Sequence, residues 1–143
     1  MDRSSAIIEE FVLVPPEDRL YLLLDYAERL PPLPARLEAA RDAGLGRVHE
    51  CATPVFLYAE PEGDRLRLYA DVPRESPTVR GLVGLLVEAL DGATAEEVAA
   101  VPDDLLYRLG IAQQLGMRRL QGFAGVLRQL KASAAEAAVR EKG

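Results

Sequence analysis

Between residues 55 and 72 the hydrophobic period changes from that of a helix to that of a strand, and this interruption restricts the possible folds more than any other feature. Val55 to Ala59 is an unbroken apolar run, which reads as a strand buried on both faces. Pro61-Glu62-Gly63-Asp64 then supplies a turn signal. Beyond it, Leu66, Leu68, Ala70 and Val72 alternate with Arg65, Arg67, Tyr69 and Asp71, the pattern of a half-exposed strand. Two such segments around a short turn form an antiparallel hairpin, to which Arg47-Val48 is expected to add a third short strand.

Both flanks of this hairpin are helical. Residues 4–13 read as a first helix capped by Ser4 or Ser5, with Ile7, Ile8, Phe11 and Val12 on one side. Pro15-Pro16-Glu17-Asp18 stops it and opens a second, whose apolar stripe is Leu20, Leu23, Leu24 and Ala27. Pro31-Pro32-Leu33-Pro34 forces a stiff extended connection, and a shorter helical stretch from Arg36 to Ala43 ends at Gly44 and Gly46. After Pro77 the stripe Val79, Leu82, Val83, Leu86, Val87 and Leu90 matches a core-facing helix. Thr94-Ala95-Glu96-Glu97 is a capping box for a short helix that Pro102 ends. Asp103 opens another short helix, which Gly110 stops. A last helix starts near Met117 and buries Leu120, Phe123, Ala124, Leu127 and Leu130. Its alanine-rich tail, from about residue 133, is expected to fray. Helices, a small meander and helices again predict one α+β domain over residues 1–143, a three-stranded antiparallel sheet covered by helices.

Composition narrows the function. A formal net charge of −6 and a pI near 4.9 argue against nucleic-acid binding, which uses a basic patch or stripe. The apolar runs are too short to span a bilayer, and no secretory leader pattern opens the chain. The single cysteine excludes an internal disulfide. A cytoplasmic protein is expected.

That cysteine, Cys51, stands in Val48-His49-Glu50-Cys51-Ala52-Thr53-Pro54, just before the first strand and two residues after the only histidine. A buried structural cysteine is the plain alternative, since cysteine is among the most buried residues. The polar surroundings instead suit a reactive thiol, whose ionisation needs a nearby positive group. His49 and a distant arginine are candidates for that group, whereas Glu50 opposes it. His49-x-Cys51 offers too few ligands for zinc, so no metal is expected. A Cys/His hydrolase requires the imidazole at the sulfur and a third orienting group, for which the sequence offers no signature. Gly81-x-x-Gly84 lies inside a helix, where close packing explains it better than nucleotide binding. Arg118-Arg119, near the start of the last helix, places positive charge where the helix dipole does not favour it.

Four strings in order over Phe11 to Leu130 resemble the SufE-type sulfur acceptors, which serve a cysteine desulfurase in iron–sulfur cluster assembly. They are Arg19 through Leu30-Pro31-Pro32-Leu33; Val48-His49-Glu50-Cys51-Ala52-Thr53-Pro54-Val55-Phe56-Leu57; Thr78-Val79-Arg80-Gly81-Leu82; and Leu109-Gly110-Ile111 with Leu115-Gly116, Arg119 and Gln121-Gly122-Phe123. The chain departs from the family pattern in having Glu50 for glycine, Phe56 for tryptophan, Arg74-Glu75-Ser76 for Ser-Asp-Ala and Gln121 for asparagine.

The resemblance implies a SufE/IscU-like fold, shared with the scaffold proteins that build clusters. It implies that Cys51 takes persulfide sulfur from the desulfurase, stimulates that enzyme, and passes the sulfur to an iron–sulfur scaffold complex. Arg119 would favour the anionic sulfur or hold the loop, with His49 and Gln121 in support. No cofactor is expected, because pyridoxal phosphate belongs to the partner; the protein is then an accessory carrier rather than a stand-alone enzyme, a monomer or weak homodimer. A scaffold needs several thiolates for iron and this chain has one. Cys51 is expected to rest in an apolar recess lined by the Leu-Pro-Pro-Leu connection. The alternative is an interaction module of the same fold that has lost sulfur transfer.

Overall fold

The computed structural model describes residues 3–142, with side chains as far as Arg140. The hairpin is present as β1 (Phe56–Glu62) and β2 (Arg65–Asp71), paired antiparallel from Phe56↔Asp71 to Glu62↔Arg65. Gly63 takes a positive φ of 66° in the connecting turn, a conformation natural to glycine. Leu66, Leu68 and Ala70 of β2 are buried between exposed Arg65 and Arg67 and half-buried Tyr69 and Asp71, as the alternation predicts.

Two expectations for the sheet are corrected. There are two strands among the described residues, not three: Arg47 forms only an isolated bridge with Phe56. Gly46 (φ 81°) turns the chain in immediately before this bridge, and the chain leaves the sheet again after Val48, so no ladder can extend. The second correction concerns β1, which is buried on one face only. Leu57 and Ala59 point inward, while Phe56 and Tyr58 are partly exposed beneath Arg47 and the chain around Leu45.

The helices are α1 (Ser5–Leu13), α2 (Arg19–Arg29), α3 (Ala35–Asp42), α4 (Pro77–Leu90), α5 (Ala95–Ala99), α6 (Leu105–Arg108), α7 (Ala112–Leu115) and α8 (Met117–Lys142). A 3-10 turn, Pro16–Asp18, separates α1 from α2. The inner face of the hairpin meets α8 along β1 and α4 along β2, and α2 lies along α4. One hydrophobic core runs through these elements, from Ile7 to Ala137. The Thr94 capping box forms as expected: Glu97 N–H donates to Thr94 Oγ1 at 3.1 Å and Thr94 N–H to Glu97 Oε1 at 3.0 Å.

Helix α4 is buried nearly all round rather than along one stripe. Gly81 and Gly84 make this possible. A β-carbon on Gly81 would collide with the carbonyl oxygen of Leu23, and one on Gly84 would lie 2.6 Å from that of Tyr26. Buried Arg80 finishes the contact by donating to the carbonyls of Val72 (2.6 Å), Ala27 (3.0 Å) and Leu30 (3.2 Å), which closes the ends of β2 and α2 onto α4.

From about residue 133, where the sequence suggests a fraying tail, the chain is helical in the structure. Helix α8 continues to Lys142, with Ala134 and Ala137 fully buried. The small alanines let this end of the helix pack closely against β1 and α5.

Candidate functional site

Cys51 stands at the tip of the loop of residues 48–55, between the Arg47 bridge and β1. The Val48 N–H donates to the Val55 carbonyl at 2.8 Å, and both side chains are fully buried, so the neck of the loop is anchored in the core. Beyond that neck the chain lies along α8. Gln129 Nε2 donates to the Gly46 carbonyl at 2.9 Å, Arg128 Nη1 to Glu50 Oε2 at 2.6 Å, and Cys51 Sγ to the Gly122 carbonyl at 3.5 Å. Gly122, Gly125 and Arg128 recur every three residues and therefore share one helix face. A β-carbon on Gly125 would stand 2.6 Å from that of Glu50, and one on Gly122 would stand 3.2 Å from Cys51 Sγ. The two glycines form the track on which the loop rests.

Cys51 is 9% exposed and opens onto a recess of about 360 Å³. Val79, Leu82 and Val83 of α4, with Phe123 and Val126 of α8, make its apolar wall; Thr53, Glu75, Ser76, Thr78, Arg118 and Arg119 supply its polar lining. The apolar recess expected for the thiol is present. The Leu-Pro-Pro-Leu connection does not line it, because Leu30, Pro31 and Pro32 face β2 and the end of α4 around a separate cavity. Thr53 Oγ1 lies 3.4 Å from Ser76 Oγ, which ties the loop to the start of α4.

Burial pushes the Cys51 thiol above the ordinary cysteine range, and the Glu50 carboxylate pushes in the same direction. The positive charge of Arg47 opposes both. Donation to the Gly122 carbonyl also favours the protonated form. The seated thiol is therefore neutral near pH 7, shielded from water and a weak nucleophile.

The residues expected to attend Cys51 divide into two groups. Arg119 lines the recess beside Arg118, both exposed and without ion-pair partners among the described residues. His49 is exposed on the loop and forms no hydrogen bond with the thiol, and Gln121 is exposed outside the recess lining. The imidazole–sulfur contact that a Cys/His hydrolase requires is not formed. Among the described residues, no group of three or more His, Cys, Asp or Glu is placed to hold a metal ion. Sequence reasoning missed Gly125 and Arg128 as partners of the loop. Their three-residue interval was visible, but nothing local indicates that the carboxylate of residue 50 lands there.

The model of the SufE family, described as an Fe–S metabolism associated domain, matches residues 5–134. A SufE-like protein of Mycobacterium tuberculosis is 35% identical over 132 residues, covering 92% of this chain and 90% of its own. The sulfur acceptor protein CsdE of Escherichia coli is 34% identical over 108 residues, covering 74% of this chain and 69% of its own. The solution structure of a hypothetical protein from Thermus thermophilus superposes with a TM-score of 0.83 at 38% identity, covering 96% of each chain.

Proposed function

Because this chain belongs to the SufE family, we propose that it is a sulfur acceptor for a pyridoxal-phosphate-dependent cysteine desulfurase, acting in the cytoplasm where free thiols persist. The observation that carries this reading is the placement of the only cysteine: Cys51 is nine-tenths buried against a recess with an apolar wall, on the tip of a loop whose neck is anchored in the core.

The Cys51 thiolate attacks the outer sulfur of a persulfide on the desulfurase. A sulfur–sulfur bond forms at Cys51 as the donor's breaks, and the electron pair leaves on the donor cysteine as its thiolate. The Cys51 proton goes to solvent before the attack, and solvent can return one to the departing thiolate. The loop then reseats, and the apolar wall keeps water and small thiols from the persulfide until it is handed to an iron–sulfur scaffold complex. With one cysteine in the chain, no neighbouring thiol can resolve the persulfide into an internal disulfide. Arg119 and Arg118 supply the positive charge that favours the thiolate as it leaves the recess. His49 and Gln121, exposed beside the loop, face the docked partner rather than the sulfur.

Incubation with a desulfurase and cysteine, followed by mass spectrometry, is expected to show one added sulfur on Cys51, accompanied by faster turnover of the partner. An unmodified Cys51 with unchanged turnover overturns this reading. The neutral, enclosed thiol favours a second one, a docking module that no longer transfers sulfur. Cys51→Ser separates them: binding persists in both cases, but stimulation of the desulfurase disappears only for a carrier.

A further inference from the structure

We propose that Glu50 is a positioning residue for Cys51, a latch that seats on Gly125, bonds Arg128 and holds the 48–55 loop closed over the recess. This rests on the reading of Cys51 as the sulfur acceptor, whose thiol has to leave the recess to meet a partner.

The cysteine loop touches α8 through consecutive residues on consecutive turns. Cys51 sits on Gly122, the Glu50 side chain lies over the bare backbone of Gly125, and the Glu50 carboxylate ends on Arg128 at 2.6 Å. The contact to Gly125 spans the whole side chain, since its Cβ, Cγ and Cδ would all lie within 2.8 Å of an added β-carbon. A residue adjacent to the acceptor cysteine therefore cannot move without releasing this contact. Among the described residues, Arg128 has no other ion pair or hydrogen bond and Glu50 has no other cation partner. The pair is exposed, with side chains 68% and 42% accessible, so solvent ions and a partner's charges can compete for it. The latch is thus weak enough to open. Its strength also sets how long the thiol stays enclosed.

Glu50 has two separable effects on the thiol. Its charge disfavours the thiolate, and its contact with α8 limits access. Alkylation of Cys51 by iodoacetamide across a pH series distinguishes them, because the midpoint reports charge and the high-pH plateau reports access. The full chain is compared with Glu50→Gln, Arg128→Gln and Arg128→Lys, after circular dichroism and melting have verified the fold of each. The plateau is expected to rise about two- to fivefold in Glu50→Gln and Arg128→Gln, the range an exposed ion pair supports. It stays near the parent value in Arg128→Lys, which retains the charge. At the high-pH plateau, where the thiol is fully ionised, added salt raises the rate of the parent chain but not that of Arg128→Gln.

Arg128→Gln is the decisive variant. If Glu50 acts through charge alone, removing its cation leaves a stronger negative field at the thiol, and the reaction slows at neutral pH with an unchanged plateau. That result overturns the latch. Sulfur uptake from a persulfide-loaded desulfurase is measured on the same variants. A parent chain that never takes up sulfur while the plateaus shift as stated overturns the acceptor reading and leaves the latch standing. Normal uptake with plateaus equal in all variants does the reverse.

Discussion

The Sγ atom of Cys51 lies 3.5 Å from the carbonyl oxygen of Gly122, and a β-carbon on that glycine would stand 3.2 Å from the sulfur. The thiol is enclosed because one helix residue has no side chain. Gly122→Ala is expected to push the sulfur outward by a few tenths of an ångström. Gly125→Ala is expected to lift the loop further, because the added carbon meets Glu50 Cβ at 2.6 Å. Alanine is favoured over glycine inside a helix by up to about 1 kcal/mol, so melting temperatures should change little while Cys51 alkylation accelerates, more for Gly125→Ala. Unchanged reactivity in that variant would contradict the packing of the loop on α8.

The pH dependence of the same reaction has a fixed sign. Burial and Glu50 both raise the Cys51 pKa in the folded chain, so the alkylation midpoint should lie above that of the chain unfolded in urea. Stability follows by linkage: the stabilisation associated with the neutral thiol is complete below the unfolded-state pKa and is lost as pH rises through the folded-state value. The parent chain should accordingly lose more stability in alkali than Cys51→Ser does. In Glu50→Gln the alkylation midpoint should fall. Equal midpoints for the folded and unfolded parent chain would refute the assignment.

Arg80 is 7% exposed and serves three backbone carbonyls from the ends of α2 and β2. Burial lowers its pKa, with a smaller contribution from Arg74, yet a guanidinium stays protonated. Arg80→Met removes the donors and leaves buried acceptors unpaired, a loss on the order of 3 kcal/mol or more. Lysine should rescue little, since its point charge cannot reproduce the guanidinium fork. Urea denaturation of both variants checks this, and a loss below about 1 kcal/mol for Arg80→Met would show that water replaces the fork.

The approach of α2 to α4 sets a further test. Gly81→Ala and Gly84→Ala place a carbon against the backbone oxygens of Leu23 and Tyr26, neither of which can swing aside as a side chain would. Overpacking of this kind costs about 1–3 kcal/mol, and the helix propensity gained offsets only part of it. Chemical denaturation should rank Gly81→Ala as the more damaging, because its nearest contact is the closer of the two. A stabilised Gly81→Ala protein would show that the helices can separate at no cost.

Much of the architecture was legible because its causes are local. The alternation of Leu66, Leu68 and Ala70 with Arg65 and Arg67 needs only the strand's period of two, and the Thr94–Glu97 box closes within three residues. Gly81 and Gly84 were legible as packing residues for the same reason: one spacing on one helix. Helix α7 was missed because it is a single short turn between Ile111 and Gly116 with no cap or stripe of its own. The third strand failed because a strand is made by its partner. Val48 has the right character, but the chain departs after one bridge.

The sequence by itself determined the hairpin, its helical cover and the presence of one thiol just before β1. Tertiary structure decided what that thiol experiences. The recess is built from α4 and α8, the carbonyl facing Sγ is 71 residues away, and the cation that neutralises Glu50 is 78 residues away. Only the packing of α8 along β1 brings these groups together. A side chain's burial and electrostatic field depend on spatial neighbours, and no local pattern around residue 51 specifies them.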